Sequence, residues 1–158
     1  MSAGRILSAM ALMVAATSAA SAQVTQTVTF QVNAINQIAF SGSPSLLIST
    51  ATAGSAPTSA TASASWAVTT NQTGAKITAS INSAMPSGLT LSVDLAAPSG
   101  ASAAGSTALG TTSVDLVTGI TKLAQAALGV TYTLDATPAA GVQSSTTRTV
   151  TYTITGGT

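Results

Sequence analysis

The chain has no Cys, no His and no Glu, and its 158 residues carry only four basic and three acidic side chains. Charged residues make up 4%, against about 25% in an ordinary soluble domain. These absences exclude most chemistry. Without His or Cys there is no imidazole base, no thiolate nucleophile, no set of zinc ligands and no disulfide framework. Aromatic residues are equally scarce, one Trp, two Tyr and two Phe, which leaves no cluster on which a sugar or a base would stack. A formal net charge of +1 does not provide the basic surface that nucleic acid phosphates require. No catalytic residue, cofactor site or metal site is expected, and the protein reads as a non-enzyme. What is abundant is small: Ala, Ser and Thr account for 82 residues.

Residues 1–22 read as a cleaved secretory signal. Arg5 supplies the positive start, Ile6–Ala16 an apolar run, and Ala20-Ser21-Ala22 a small-x-small cleavage site. That run is far shorter than the roughly 20 residues a membrane-spanning helix needs. No later stretch is long enough either, so no membrane span is expected after signal removal. Residues 23–158 then form one domain, secreted to the exterior or the cell surface. Removing Arg5 leaves three positive and three negative groups, and none of them lies between Gln23 and Ala75.

The hydrophobic period along this chain is two, the signature of strands with one buried face. Val24–Val32 alternates Val24, Val28, Phe30 and Val32 on one face with Thr25, Thr27, Thr29 and Gln31 on the other. Nine residues in a strand reach about 30 Å. Further strands are expected at Ile38–Phe40, Leu46–Ile48, Ser63–Thr70, Lys76–Ile81, Leu89–Leu95, Val114–Ile120, Val130–Leu134 and Arg148–Ile154. Lys76–Ile81 and Leu89–Leu95 are expected to form a hairpin, and Val130–Leu134 to pair with Arg148–Ile154. Ala51–Ala60 and Ala96–Gly105 read as loops. Thr121–Leu128, with a Thr cap and Gly129 as a stop, is the one segment expected as a short helix. Eight to ten strands with Gly and Pro turns describe an all-β, antiparallel, two-sheet sandwich of immunoglobulin-like character. Its core is expected to include Trp66, Leu89, Leu91, Val93, Leu95, Tyr132, Val150 and Tyr152.

Each candidate site has a plain structural reading. Asp94, Asp115 and Asp135 are spaced about twenty residues apart with no calcium-loop motif behind them, and they read as solvated or locally paired carboxylates. Trp66 reads as core. Asn71-Gln72-Thr73 matches a glycosylation acceptor, in a stretch that also reads as a turn. The Thr-x-Thr runs at Thr25–Thr29, Thr131–Thr133 and Thr149–Thr155 invite comparison with ice-binding surfaces, but Thr is an ordinary polar partner in an alternating strand, and no short repeat flattens the array.

The stronger signal is an edge without defences. Soluble sandwiches guard exposed strands with Lys, inward charges or Pro, and Val24–Val32 has none of these. A chain of zero net charge also lacks the repulsion that keeps copies apart. The signal segment, this N-terminal strand and the closing Thr146–Thr155 segment together resemble the Ig-like, pilin-like subunits of bacterial surface fibres and the related secreted coat proteins of the spore-coat-U type. That resemblance implies a structural subunit whose N-terminal strand, residues 23–33, is donated to a neighbouring copy, with Val24, Val28, Phe30 and Val32 as the inserted residues. The partner it implies is the chain itself. Many pilins also have a Cys pair and a penultimate aromatic, which this chain lacks, so the resemblance does not carry an assembly chaperone with it. The alternative from another class is a monomeric secreted module that binds a glycan or a protein through Ala51–Ala60 or Ala96–Gly105.

Overall fold

A computed structural model of the protein describes residues 21–158. The expected signal segment, apart from Ser21 and Ala22, lies outside the described residues. The chain divides at Val32/Asn33 into two units. Of the first, residues 21–32 are described, and these are exposed and part of no sheet.

The second unit is a two-sheet antiparallel sandwich. Its strands are β1 (Asn36–Ser41), β2 (Ala60–Thr70), β3 (Ala75–Ile81), β4 (Leu89–Leu95), β5 (Ser102–Ala103), β6 (Thr107–Ala108), β7 (Val114–Ile120), β8 (Leu123–Ala136) and β9 (Val150–Thr155). One sheet has the order β1-β2-β8-β4-β6 and the other β5-β7-β3-β9. Alternation decides which side chains meet between them. β3 buries Ala75, Ile77, Ala79 and Ile81, β4 buries Leu91, Val93 and Leu95, and β7 adds Leu116, Val117 and Ile120. Trp66, Val68, Leu128, Val130 and Tyr132 complete the core from β2 and β8. Leu89, at the mouth of β4, is half-buried, and so are Val150 and Tyr152.

Several local expectations are corrected. Lys76–Ile81 and Leu89–Leu95 do not form a hairpin, since β3 and β4 belong to different sheets. Residues 82–88 cross from one sheet to the other, and both apolar faces point into the same core. The same holds for β8 and β9, which meet across the core through their tyrosines instead of through a ladder. Thr121–Leu128 is not helical. From Leu123 onward it forms the start of the 14-residue β8, whose pairing with β2 satisfies backbone groups that a short helix would leave open. The register shifts between Trp66 and Val68, and opposite that shift Ala127 takes a left-handed φ of 57°. This extra residue lets the strand run on. Leu46–Ile48 is irregular, with Leu46 packed on the core and Leu47 exposed. The only helical turn among the described residues is a 3-10 turn at Pro138–Ala140.

Candidate assembly surface

The two lateral margins of the sandwich differ. At one, both sheets end in strands of two residues, β5 and β6. Very short edges offer little template for another chain. At the other margin the sheets end in β1 and β9, six residues each, with no charged residue and no Pro on either. Here the core is incompletely covered. Ile38 and Phe40 of β1, and Val150, Tyr152 and Ile154 of β9, pack on the core while remaining half-exposed.

An aromatic row crosses this margin. Phe40, directly opposite Trp66 in the β1–β2 register, stacks on the indole with ring centres 5.9 Å apart and on Tyr152 with centres 3.8 Å apart. The Tyr152 hydroxyl lies 2.7 Å from that of Tyr132. Burial, reinforced by the hydrogen bond and the proximity of Tyr132, holds the Tyr152 phenol well above its usual range. The phenol is therefore neutral at any ordinary pH, and the margin stays uncharged. Trp66 is 2% exposed, and its Nε1 has no acceptor among the described residues.

The base of the N-terminal segment is built from amides. The Ile35 N–H donates to Asn71 Oδ1 at 2.8 Å, and Asn71 Nδ2 donates to the Asn33 carbonyl at 2.7 Å. The Asn71 N–H donates to the Ile35 carbonyl at 3.2 Å. Next to them the hydroxyl of buried Thr70 donates to Asn36 Oδ1 at 2.6 Å and accepts from the Gln72 N–H at 3.1 Å. Sequence reasoning saw in Asn71 only a turn residue and a glycosylation acceptor, because nothing local marks partners more than thirty residues away. An open depression of about 350 Å³ adjoins this cluster, lined by Ile35, Thr69, Thr70, Asn71, Lys122, Leu123 and Ala124.

The expected insertion residues are exposed: Val24 at 92%, Val28 at 72%, Phe30 at 89% and Val32 at 76%. Their alternation was expected to mark a half-buried strand, but residues 24–32 lie in neither sheet. The acidic residues are not brought together. Asp115 pairs with Lys76 at 2.9 Å, both side chains about half exposed, Asp135 accepts from the Ser59 hydroxyl, and Asp94 is exposed on β4. Among the described residues no three His, Cys, Asp or Glu side chains are grouped to hold a metal, and no helix is long and apolar enough to cross a membrane. Arg148 donates to the Ala84 carbonyl, which ties the chain entering β9 to the loop after β3. Compared with family models, curated proteins and solved structures, the chain matches none of them.

Proposed function

We propose that the protein is a structural subunit of an extracellular filament or surface coat, in which residues 24–32 of one copy lie along the free edge of β9 in the next. The observation that carries this reading is the pairing of two features in one chain: a long, uncharged, half-covered margin and an exposed apolar alternation able to cover it. The sheets contain five and four strands, and a strand added beside β9 makes them equal. Such a strand sets its apolar side chains against Ile38, Phe40, Tyr152 and Ile154, while its main chain pairs with the open ladder of β9. Its threonines then extend the polar outer row of Thr151, Thr153 and Thr155. Burying four side chains of this kind stabilises the contact by about 6–12 kcal/mol at 1.5–3 kcal/mol each, enough to offset much of the freedom lost on association.

The test is microscopy and size-exclusion chromatography of the mature protein, residues 23–158, beside the same chain lacking Gln23–Asn33. Filaments or higher oligomers from the first, and none from the second, are expected. Polymers that survive the deletion overturn strand donation. A stable monomer at high concentration overturns assembly altogether and favours a monomeric binding module.

A further inference from the structure

Independently of which strand covers β9, we infer that β1 carries a second self-association surface. The β1 edges of two copies pair antiparallel about a two-fold axis at Ala39, joining their five-stranded sheets side by side. β1 is the outermost strand of its sheet within the sandwich unit. It is six residues long and has neither charge nor Pro, so it lacks the devices that keep edges apart. Its ladder to β2 decides which main-chain groups face outward. The Asn71 N–H donates to the Ile35 carbonyl at 3.2 Å, which makes these two a hydrogen-bonded pair. Such pairs alternate along an antiparallel ladder. Continued through the register Gln37↔Thr69, Ala39↔Ala67 and Ser41↔Ser65, they turn Gln37, Ala39 and Ser41 toward β2. The N–H and C=O of Ile38 and Phe40 then point to the open side of the strand.

These outward groups belong to the residues that pack on the core, whereas Gln37, Ala39 and Ser41 are exposed on the outer face. In an antiparallel pair, opposed residues share a face and interact directly, and both must direct their main-chain groups across to exchange hydrogen bonds. For β1 against itself one register meets every condition. With Ala39 opposite Ala39 of the second copy, Ile38 meets Phe40 and Phe40 meets Ile38, while Gln37 and Ser41 meet on the outer face. A one-residue slip sets apolar side chains against polar ones. A two-residue slip either sets Phe40 against Asn36, which Thr70 already ties, or leaves Ile38 opposite Gly42. The strand is therefore complementary to itself, the condition for a closed two-fold contact. β6, at the far end of the same sheet, has only two residues, so this pairing joins two copies and stops.

The chain contains no Cys, so a single introduced Cys can bridge only to another copy. On the axis, Ala39 forms a non-hydrogen-bonded pair with Cα atoms about 4.5 Å apart, within reach of a disulfide. Gln37 of one copy and Gln37 of the other lie four residues out of register, about 14 Å apart, beyond that reach. After mild oxidation, mature Ala39→Cys is expected to run mostly at twice the monomer mass on a non-reducing gel, and Gln37→Cys at the monomer mass. A mixture of Gln37→Cys and Ser41→Cys chains is expected to bridge again. Gln37→Cys that bridges as readily as Ala39→Cys overturns the register. Ala39→Cys that stays unbridged overturns the inference, and slow amide exchange along β1 in that monomer would assign the edge to residues 24–32 of the same chain. Without Cys, Ala39→Lys and Ala39→Glu each set like charges opposite one another and are expected to raise the dissociation constant of the pair, read by sedimentation. Mixing the two should restore pairing; a mixture no better than either alone overturns the two-fold. The gel reads the bridge whether or not filaments form. Bridging without filaments leaves this inference standing and overturns strand donation, and filaments without bridging do the reverse.

Discussion

Phe30→Ala separates strand donation from every role the side chain has within its own chain. The ring is 89% exposed, so removing it takes almost nothing from the sandwich, and the melting temperature of the monomer should shift by no more than a surface change does, within about 0.5 kcal/mol. Under the proposed strand donation the same ring would lie against the Phe40 and Tyr152 margin of the next copy, where burying a Phe is worth about 1.5–3 kcal/mol. Each junction loses that amount, so the concentration at which half the protein assembles should rise roughly ten- to a hundredfold. Sedimentation or static light scattering across a dilution series measures this directly. Thr29→Ala is the internal control, because Thr29 projects from the opposite face of the segment and should leave assembly nearly unchanged. Two results refute the reasoning. In one, Phe30→Ala assembles at the same concentration as the natural protein. In the other, Thr29→Ala weakens assembly as much as Phe30→Ala, which shows that the alternating face does not matter.

Tyr152→Phe keeps the stack on Phe40 but leaves the buried Tyr132 hydroxyl without its 2.7 Å partner; a loss of about 1–2 kcal/mol is expected in denaturant unfolding. The same pair makes the natural protein sensitive to alkali. Because the folded state raises the Tyr152 pKa, its stabilising effect is complete below the usual phenol range and falls as pH rises past about 10, by less than about 1.4 kcal/mol per pH unit since solvent reaches part of the ring. Thermal melts from pH 8 to 11 should show this decline, and Tyr152→Phe should flatten it. Gly88→Ala should destabilise strongly, by several kcal/mol or enough to prevent folding. Gly88 has a φ of +79°, and a Cβ there would lie 2.6 Å from the Ala140 backbone N. A melting temperature unchanged by Gly88→Ala would show that the crossing after β3 is not packed as described.

Alternation made the strands legible, and their pairing was not. Leu91, Val93 and Leu95 announce a buried face in the sequence, and that face is buried. The same pattern arises whether a neighbouring strand lies beside it in one sheet or across the core in the other. That is why β3 and β4 read as a hairpin although residues 82–88 carry the chain between sheets. Thr121–Leu128 misled for a different reason. Its cap and stop residues and its alanines favour a helix by fractions of a kcal/mol, while pairing with β2 satisfies a whole row of backbone groups, and Ala127 accepts a left-handed φ to permit it. Residues 24–32 were legible as an amphipathic segment, but alternation records only that one face suits burial. It does not record which body provides the cover, and here the four apolar residues are exposed.

The same ambiguity explains what the scarcity of charge means. A low charge content by itself fits a dense core as well as a sticky surface, and the distinction depends on where the missing charges would have stood. In this fold one margin is blunted by geometry, since β5 and β6 are too short to template a partner. The opposite margin has six-residue edges on both sheets, and none of the described charged residues falls on either. Its one ionisable group, Tyr152, is held neutral by burial and by Tyr132. A monomer under pressure to stay soluble would carry its few lysines there, where each would cost little stability and would block edge pairing. Instead Lys76 sits inward of β9, paired with Asp115, and Arg148 stops short of β9, bound to a loop carbonyl. The chain thus keeps its charges off the one margin long enough to accept another strand, and that placement, more than the low count, argues for self-association.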